Sequence, residues 1–218
     1  MGQRQYKYIA HSENSNGEEQ SMKQHSEGVA ELMKSFALAN DYAEIYLCCG
    51  LLHDLGKYSK GFQKYIRSNG NKEPHAKWGA YMALMNKLIN IAFPVIGHHA
   101  GLPNRDAMFE DLEICAKDGN RWNEIQRAME EDEAIIPICD NSPFDKIGDV
   151  FQKELFIRLL YSALVDADSL DTERHFEKEQ FDARSSKTLD VDPLLTALNK
   201  RFESFKQDTP LNELRTNV

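Results

Sequence analysis

A histidine and an aspartate stand side by side inside an apolar run, Leu51-Leu52-His53-Asp54-Leu55-Gly56-Lys57. An imidazole and a carboxylate in that setting need partners, because burying polar groups without them is costly. Further histidines occur at 11, 25, 75, 98 and 99, and of the seven in the chain only His175 lies beyond residue 100. Imidazole and carboxylate together suit Mn, Fe, Co, Ni or Zn. The donors outnumber what one tetrahedral ion takes. They suit two ions sharing a carboxylate. Held roughly 3.5–4 Å apart, such ions activate a water and stabilise the leaving oxygen in phosphodiester hydrolysis.

Each residue also has a plainer reading. His25 shares a helical face with Val29 and Leu32, where a single histidine is more often a hydrogen-bonded core residue. His53 and Asp54 project about 100° apart on one helix and can converge on an ion beside it. His98-His99 ends an apolar segment, and two adjacent imidazoles there are costly to bury unpaired. Lys57, taken alone, is a solvated lysine at a helix end. His11 lies in a polar segment and His175 in a charged one, so both are expected at the surface.

The elements that must position these residues are helical. Val29, Leu32, Met33 and Phe36 mark a helix from about Ser21 through His25. Ile45, Cys48, Leu51, Leu52 and Leu55 mark a second, carrying His53 and Asp54 and expected to stop at Gly56. Phe62, Tyr65 and Ile66 suggest a short third, closed by a loop over 68–74. Trp78, Tyr81, Met82, Met85 and Leu88 give a fourth, with His75 at its start. Residues 106–133 read as exposed helices and 134–146 as a loop. Phe151 to Leu170 is apolar on nearly every side and is expected to be central. A last helix spans about 192–205. No strand alternation is evident, and the fold class is all-α.

Bulk properties narrow the function. The 218 residues suit one domain, expected over 1–208, with 209–218 as a linker. No run of about 18 apolar residues occurs, so nothing is expected to span a membrane, and a cytoplasmic setting is expected. The four cysteines show no C-x-x-C spacing and read as reduced and mostly buried. A net charge of −9 argues against a nucleic-acid-coating surface. Two divalent ions would still attract phosphate at one point without a basic face.

The order His25, His53-Asp54, Lys57, His75, His98-His99 and Asp168 resembles the HD superfamily of metal-dependent phosphohydrolases. Within it, the chain is most similar to the CRISPR-associated HD nuclease, the nuclease part of the type I CRISPR helicase-nuclease. The specific segments are Gly97-His98-His99-Ala100-Gly101-Leu102 and Asp166-Ala167-Asp168-Ser169-Leu170-Asp171-Thr172-Glu173. The resemblance implies an HD-domain helical bundle with the metal site between central helices. It implies one ion held by His25, His53, Asp54 and Asp168, and a second by His75, His98 and His99, with Asp54 bridging. Mn, Ni, Co or Fe is the expected metal, with Mg or Zn as alternatives. Lys57 would stabilise charge on the phosphate. The family pattern favours Asp168 over Asp166. Asp171 and Glu173 read as a helix cap or as support behind the ligands.

The implied activity is hydrolysis of single-stranded DNA in type I CRISPR interference, with a helicase domain or subunit and a CRISPR surveillance complex as partners. Trp78 and Tyr58 are candidates for stacking on bases. No G-x-x-x-x-G-K-[ST] phosphate loop occurs, so the chain hydrolyses no ATP by that route. The alternatives are an HD phosphohydrolase acting on small nucleotides and a non-catalytic, metal-stabilised module that docks partners.

Overall fold

The computed structural model describes residues 6–68, 71, 73–135, 139–184 and 190–204. The chain divides into two compact units, Met1–Asp182 and Ala183–Val218. The expected linker, 209–218, lies outside the described residues.

Helices dominate the first unit: α1 (Met22–Ser35), α2 (Ala43–Leu52), α3 (Lys60–Ser68), α4 (Ala76–Met85), α5 (Ile89–Gly97), α6 (Arg105–Lys117), α7 (Gly119–Glu131), α8 (Ser142–Asp145), α9 (Val150–Phe176) and α10 (Lys178–Asp182). The second unit holds α11 (Val191–Glu203), whose apolar residues Val191, Leu194, Leu195 and Leu198 are exposed. No described helix is long and apolar enough to cross a membrane. The all-α expectation holds, with one addition. Strands β1 (Ile9–His11) and β2 (Gln20–Ser21) pair antiparallel just before α1. The chain leaves β2 directly into α1 through a capping box. Ser21 Oγ accepts from the Gln24 backbone N–H at 3.1 Å, and Gln24 Oε1 accepts from the Ser21 N–H at 3.0 Å.

Helix α1 packs against α2 and α9, and α5 against α4 and α9. Their apolar faces form the core, with Val29, Met33, Ile45, Ile91, Val95, Leu160 and Leu164 fully buried. Helices α6 and α7 cover one side through Met108, Leu112, Ile125 and Met129 while turning their charges outward.

Three expectations need correction. Helix α2 ends at Leu52, and Leu55–Tyr58 forms a separate 3-10 turn, so Gly56 lies inside that turn and caps nothing. Helix α9 is not central along its length. It buries the stripe Phe156, Leu160, Leu164, Ala167 and Asp171, but Val150, Leu155 and Leu159 are exposed and Phe151 is 82% exposed. Apolar composition on all sides did not mean burial on all sides. The span 134–146 contains α8, with Pro143 in its first turn, where its missing N–H costs nothing.

The approach of the end of α2 to the start of α4 needs glycine at two positions. A Cβ on Gly79 would strike the Leu52 carbonyl, and one on Gly56 would strike the His75 carbonyl. These contacts press the end of α2 against the start of α4, which brings His53-Asp54 up to His75. Gly79→Ala is therefore expected to cost about 1–3 kcal/mol or more through overpacking against backbone. Gly119, the first residue of α7, has open space around it, and Gly119→Ala should be neutral or stabilise by up to about 1 kcal/mol. Urea denaturation followed by circular dichroism compares the two. Equal stabilities would show that α4 does not need the contact.

Candidate metal centre

Two histidines are aimed by the ends of their helices. The last carbonyls of an α-helix lack intrahelical donors. His53, the residue that follows α2, donates Nδ1–H to the Gly50 carbonyl at 2.7 Å. His98, the residue that follows α5, donates to the Val95 carbonyl in the same way at 2.6 Å. Each bond answers an orphan carbonyl and fixes the tautomer, leaving an Nε2 lone pair that points away from the helix. His25, on α1, has its Nδ1 at 2.8 Å from Asp171 Oδ2, which leaves its Nε2 lone pair free as well.

Those lone pairs converge on Asp54. The backbone leaves helical geometry at this residue (φ −114°, ψ 17°), and its carboxylate turns into the space between the helices. Asp54 Oδ2 lies 3.2 Å from both His25 Nε2 and His53 Nε2, and these two nitrogens are 3.2 Å apart. Asp168 Oδ1, from α9, lies 3.4 Å from His25 Nε2 and 3.8 Å from His53 Nε2. The other oxygen, Asp54 Oδ1, lies 3.2 Å from His75 Nε2 and 3.5 Å from His98 Nε2. His75 Nε2 and His99 Nε2 are 2.9 Å apart. Two donor groups result, His25, His53, Asp54 and Asp168, and Asp54, His75, His98 and His99. They share Asp54, one oxygen toward each.

The donor set fits divalent ions. Metal–donor bonds of roughly 2.0–2.2 Å put the donors of one ion roughly 2.9–3.5 Å apart, and the donor distances given above run from 2.9 to 3.8 Å. Asp54 Oδ1 and His98 Nε2 are buried with no hydrogen-bond partner. Lone pairs facing one another and a carboxylate in a dry pocket repel unless positive charge sits among them.

The proton affinities express the same demand. Burial alone would push His25 and His53 down. Hydrogen bonds to Asp168, Asp171 and Asp54 instead carry His25 up to about 9. The Asp54 charge, with hydrogen bonds to Asp168 and Asp54, carries His53 up to about 10. Burial would raise Asp54, but the charges of His53, Lys57 and His75 hold it well below the usual carboxylate range. Asp168 is held low in the same way, by hydrogen bonds to His25 and His53 that outweigh its burial.

The expected metal ligands His25, His53, Asp54, His75, His98, His99 and Asp168 meet here with Lys57, whereas the disfavoured alternative Asp166 joins neither donor group. Lys57 is not a solvated lysine. It is 6% exposed, with Nζ 2.6 Å from Asp54 Oδ2 and 3.5 Å from the Ala10 carbonyl. His11 and His175 are not surface residues either. The β1–β2 hairpin lays His11 over the site, its ring 4.7 Å from that of His25 and its Nε2 3.3 Å from Thr172 Oγ1. His175 is half-buried beneath the same hairpin, its Nε2 2.9 Å from the Ser12 carbonyl. The short apolar run Tyr8-Ile9-Ala10 before His11 was the available sign of a buried strand. Asp171 does not cap α9, which runs on to Phe176, but stands behind His25, its Oδ2 2.8 Å from Nδ1, while Glu173 Oε1 accepts from Gln180 Nε2 at 2.6 Å. His99 is exposed and marks the open side.

Among known families, the model of the HD domain matches residues 22–141, more than half of the chain. No curated protein matches it. The matched stretch holds His25, His53, Asp54, Lys57, His75, His98 and His99, whereas Asp168 lies beyond it.

Without a metal ion, protons must supply the positive charge. His25 and His53 titrate higher in the folded chain than their ordinary 6.5. Their stabilisation is complete below that value and is lost as pH rises through about 9 and 10. Asp54 and Asp168 act oppositely, contributing above their ordinary 3.8 and losing that contribution only in acid. Chelator-treated protein should therefore melt at falling temperature between about pH 7 and pH 10, and saturating Mn(II) should raise and flatten the profile. Scanning calorimetry across that range tests this. A metal-free melting temperature that does not fall with pH would contradict the charge balance.

Proposed function

The chain belongs to the HD domain family, and from that membership we propose that it is a metal-dependent phosphodiesterase cutting single-stranded DNA in type I CRISPR interference. HD domains are generally metal-dependent hydrolases. The observation that carries the finer reading is Asp54 shared between two complete donor groups, with the paired His98-His99 completing the second. His25, His53, Asp54 and Asp168 would hold one ion, and Asp54, His75, His98 and His99 the other. When bound, such ions supply Lewis acidity toward phosphoryl oxygens and lower the pKa of a water.

The chain's own residues do the rest. Asp54 fixes the separation of the two groups through its two oxygens. Lys57, held beside Asp54 Oδ2, adds positive charge where the phosphate gathers negative charge. The exposed His99 supports a substrate approach from the His75–His99 side, with the hairpin bearing His11 over the other. Trp78 and Tyr58 take no part in base stacking, being 3% and 2% exposed. Recognition therefore rests on the phosphate backbone. A helicase domain or subunit feeding the strand, recruited by a CRISPR surveillance complex in the cytoplasm, would bring the substrate to this acidic protein.

Incubation with Mn(II) and circular single-stranded DNA, alongside a panel of nucleotides, tests the reading. The circle should be nicked, and Asp54→Ala should abolish nicking. Lys57→Ala should lower the cleavage rate by roughly 100-fold or more, as loss of a charge-stabilising donor does, with less effect on half-saturation. Turnover of nucleotides with the DNA left intact would point instead to a small-nucleotide phosphohydrolase. Inactivity on both would leave a metal-stabilised docking module.

A further inference from the structure

The histidines whose tautomers are fixed do not all lean on the same kind of group. His53 and His98 donate Nδ1–H to backbone carbonyls of their own helices. His25 lies within α1 and has no free helix-end carbonyl to use. It reaches instead across the bundle to a carboxylate, Asp171 on α9, at 2.8 Å.

That carboxylate sits in a built pocket. Asp171 is 1% exposed. Gln20 Nε2, from β2, donates to the same Oδ2 at 2.8 Å. Arg174, one turn further along α9, lies 3.6 Å from Oδ1. The space Oδ1 fills exists because residue 28 is glycine, as a Cβ there would strike that oxygen. Gly28 follows His25 by three residues, so both face α9. Three elements, α1, β2 and α9, thus converge to hold one anion behind one imidazole, and that anion is itself a member of neither donor group.

Resting on the reading of His25 as a metal ligand, we propose that Asp171 is a positioning residue. It holds His25 in the Nδ1–H tautomer and at the ring angle that turns Nε2 toward Asp54 and Asp168, and so sets metal affinity without touching the ion or the substrate. A carboxylate behind a ligating imidazole also makes that ligand a stronger electron donor than a backbone carbonyl does. The first donor group then depends on α9 twice, through Asp168 in front of His25 and Asp171 behind it.

The near-isosteric Asp171→Leu variant removes both the charge and the hydrogen-bond acceptor and keeps the volume. Mn(II) binding, followed by the electron-spin-resonance signal of free Mn(II), should weaken roughly 10–100-fold, the usual consequence of losing a group behind a metal ligand. Imidazole nitrogen NMR of the Zn(II)-loaded protein reads the tautomer directly, with His25 identified by His25→Gln. The slowly exchanging Nδ1–H of His25 should appear in the parent chain and be lost or fast-exchanging in the variant, with circular dichroism unchanged. If Asp171→Leu does not fold, Gly28→Ala, which crowds Oδ1, should give the same two changes. Unaltered Mn(II) affinity would overturn the proposal. So would weaker binding with the His25 Nδ1–H signal intact, which would make the loss a general structural one. A parent chain that binds no Mn(II) would overturn it together with the metal reading. A parent chain that binds Mn(II) but leaves DNA intact would overturn only the nuclease reading.

Discussion

Asp54 has one carboxylate and four imidazoles to satisfy. Its Oδ2 faces His25 and His53, its Oδ1 faces His75 and His98, and all of these approaches fall between 3.2 and 3.5 Å. In a pocket where His25 and His53 are fully buried, water cannot separate these groups. Either protons or cations must sit among them. Much of the bundle can be understood as the means of holding four lone pairs on one carboxylate against that repulsion.

Rigid supports do this better than mobile loops, and the supports here are helix ends and backbone contacts. A helix terminus offers an acceptor that exists whatever the side chains are, so His53 and His98 are anchored by the geometry of α2 and α5 themselves. The close approaches at Gly56 and Gly79 then lock the His53-Asp54 corner to the start of α4. Position is set by backbone against backbone, which yields less than side-chain packing does. Lys57 is drawn into the same corner, and its burial is offset by the Asp54 carboxylate beside it.

Much of this was legible in the sequence because its signals were local and periodic. The apolar spacing of α1 and α4, the Ser21 start and the paired His98-His99 all predict what is seen. What was not legible depended on tertiary choice. His11 looks like a surface residue because a three-residue strand leaves too short a pattern to read, and only pairing with β2 turns it inward. The stretch Phe151–Leu170 is apolar on several sides, and periodicity cannot say which side meets a neighbour. The family pattern preferred Asp168 to Asp166, and the reason is visible only in three dimensions. The buried stripe of α9 passes through Leu164, Ala167 and Asp171, and Asp168 borders it toward His25.

On the proposed reading, an acidic chain acts on a polyanion and needs its positive charge concentrated in one place. At physiological ionic strength, charges are screened beyond about 8 Å, so the net charge of −9, spread over the surface, weighs little inside the site. Two divalent ions, were the two donor groups to hold them against Asp54 and Asp168 with Lys57 beside them, would leave a local surplus of positive charge at that point. Such a site attracts a phosphate already within reach of it, but has little power to recruit a strand from solution. Low general affinity with high local affinity would suit the nuclease proposed above, its strand delivered by a partner, since it would protect other nucleic acid from being cut.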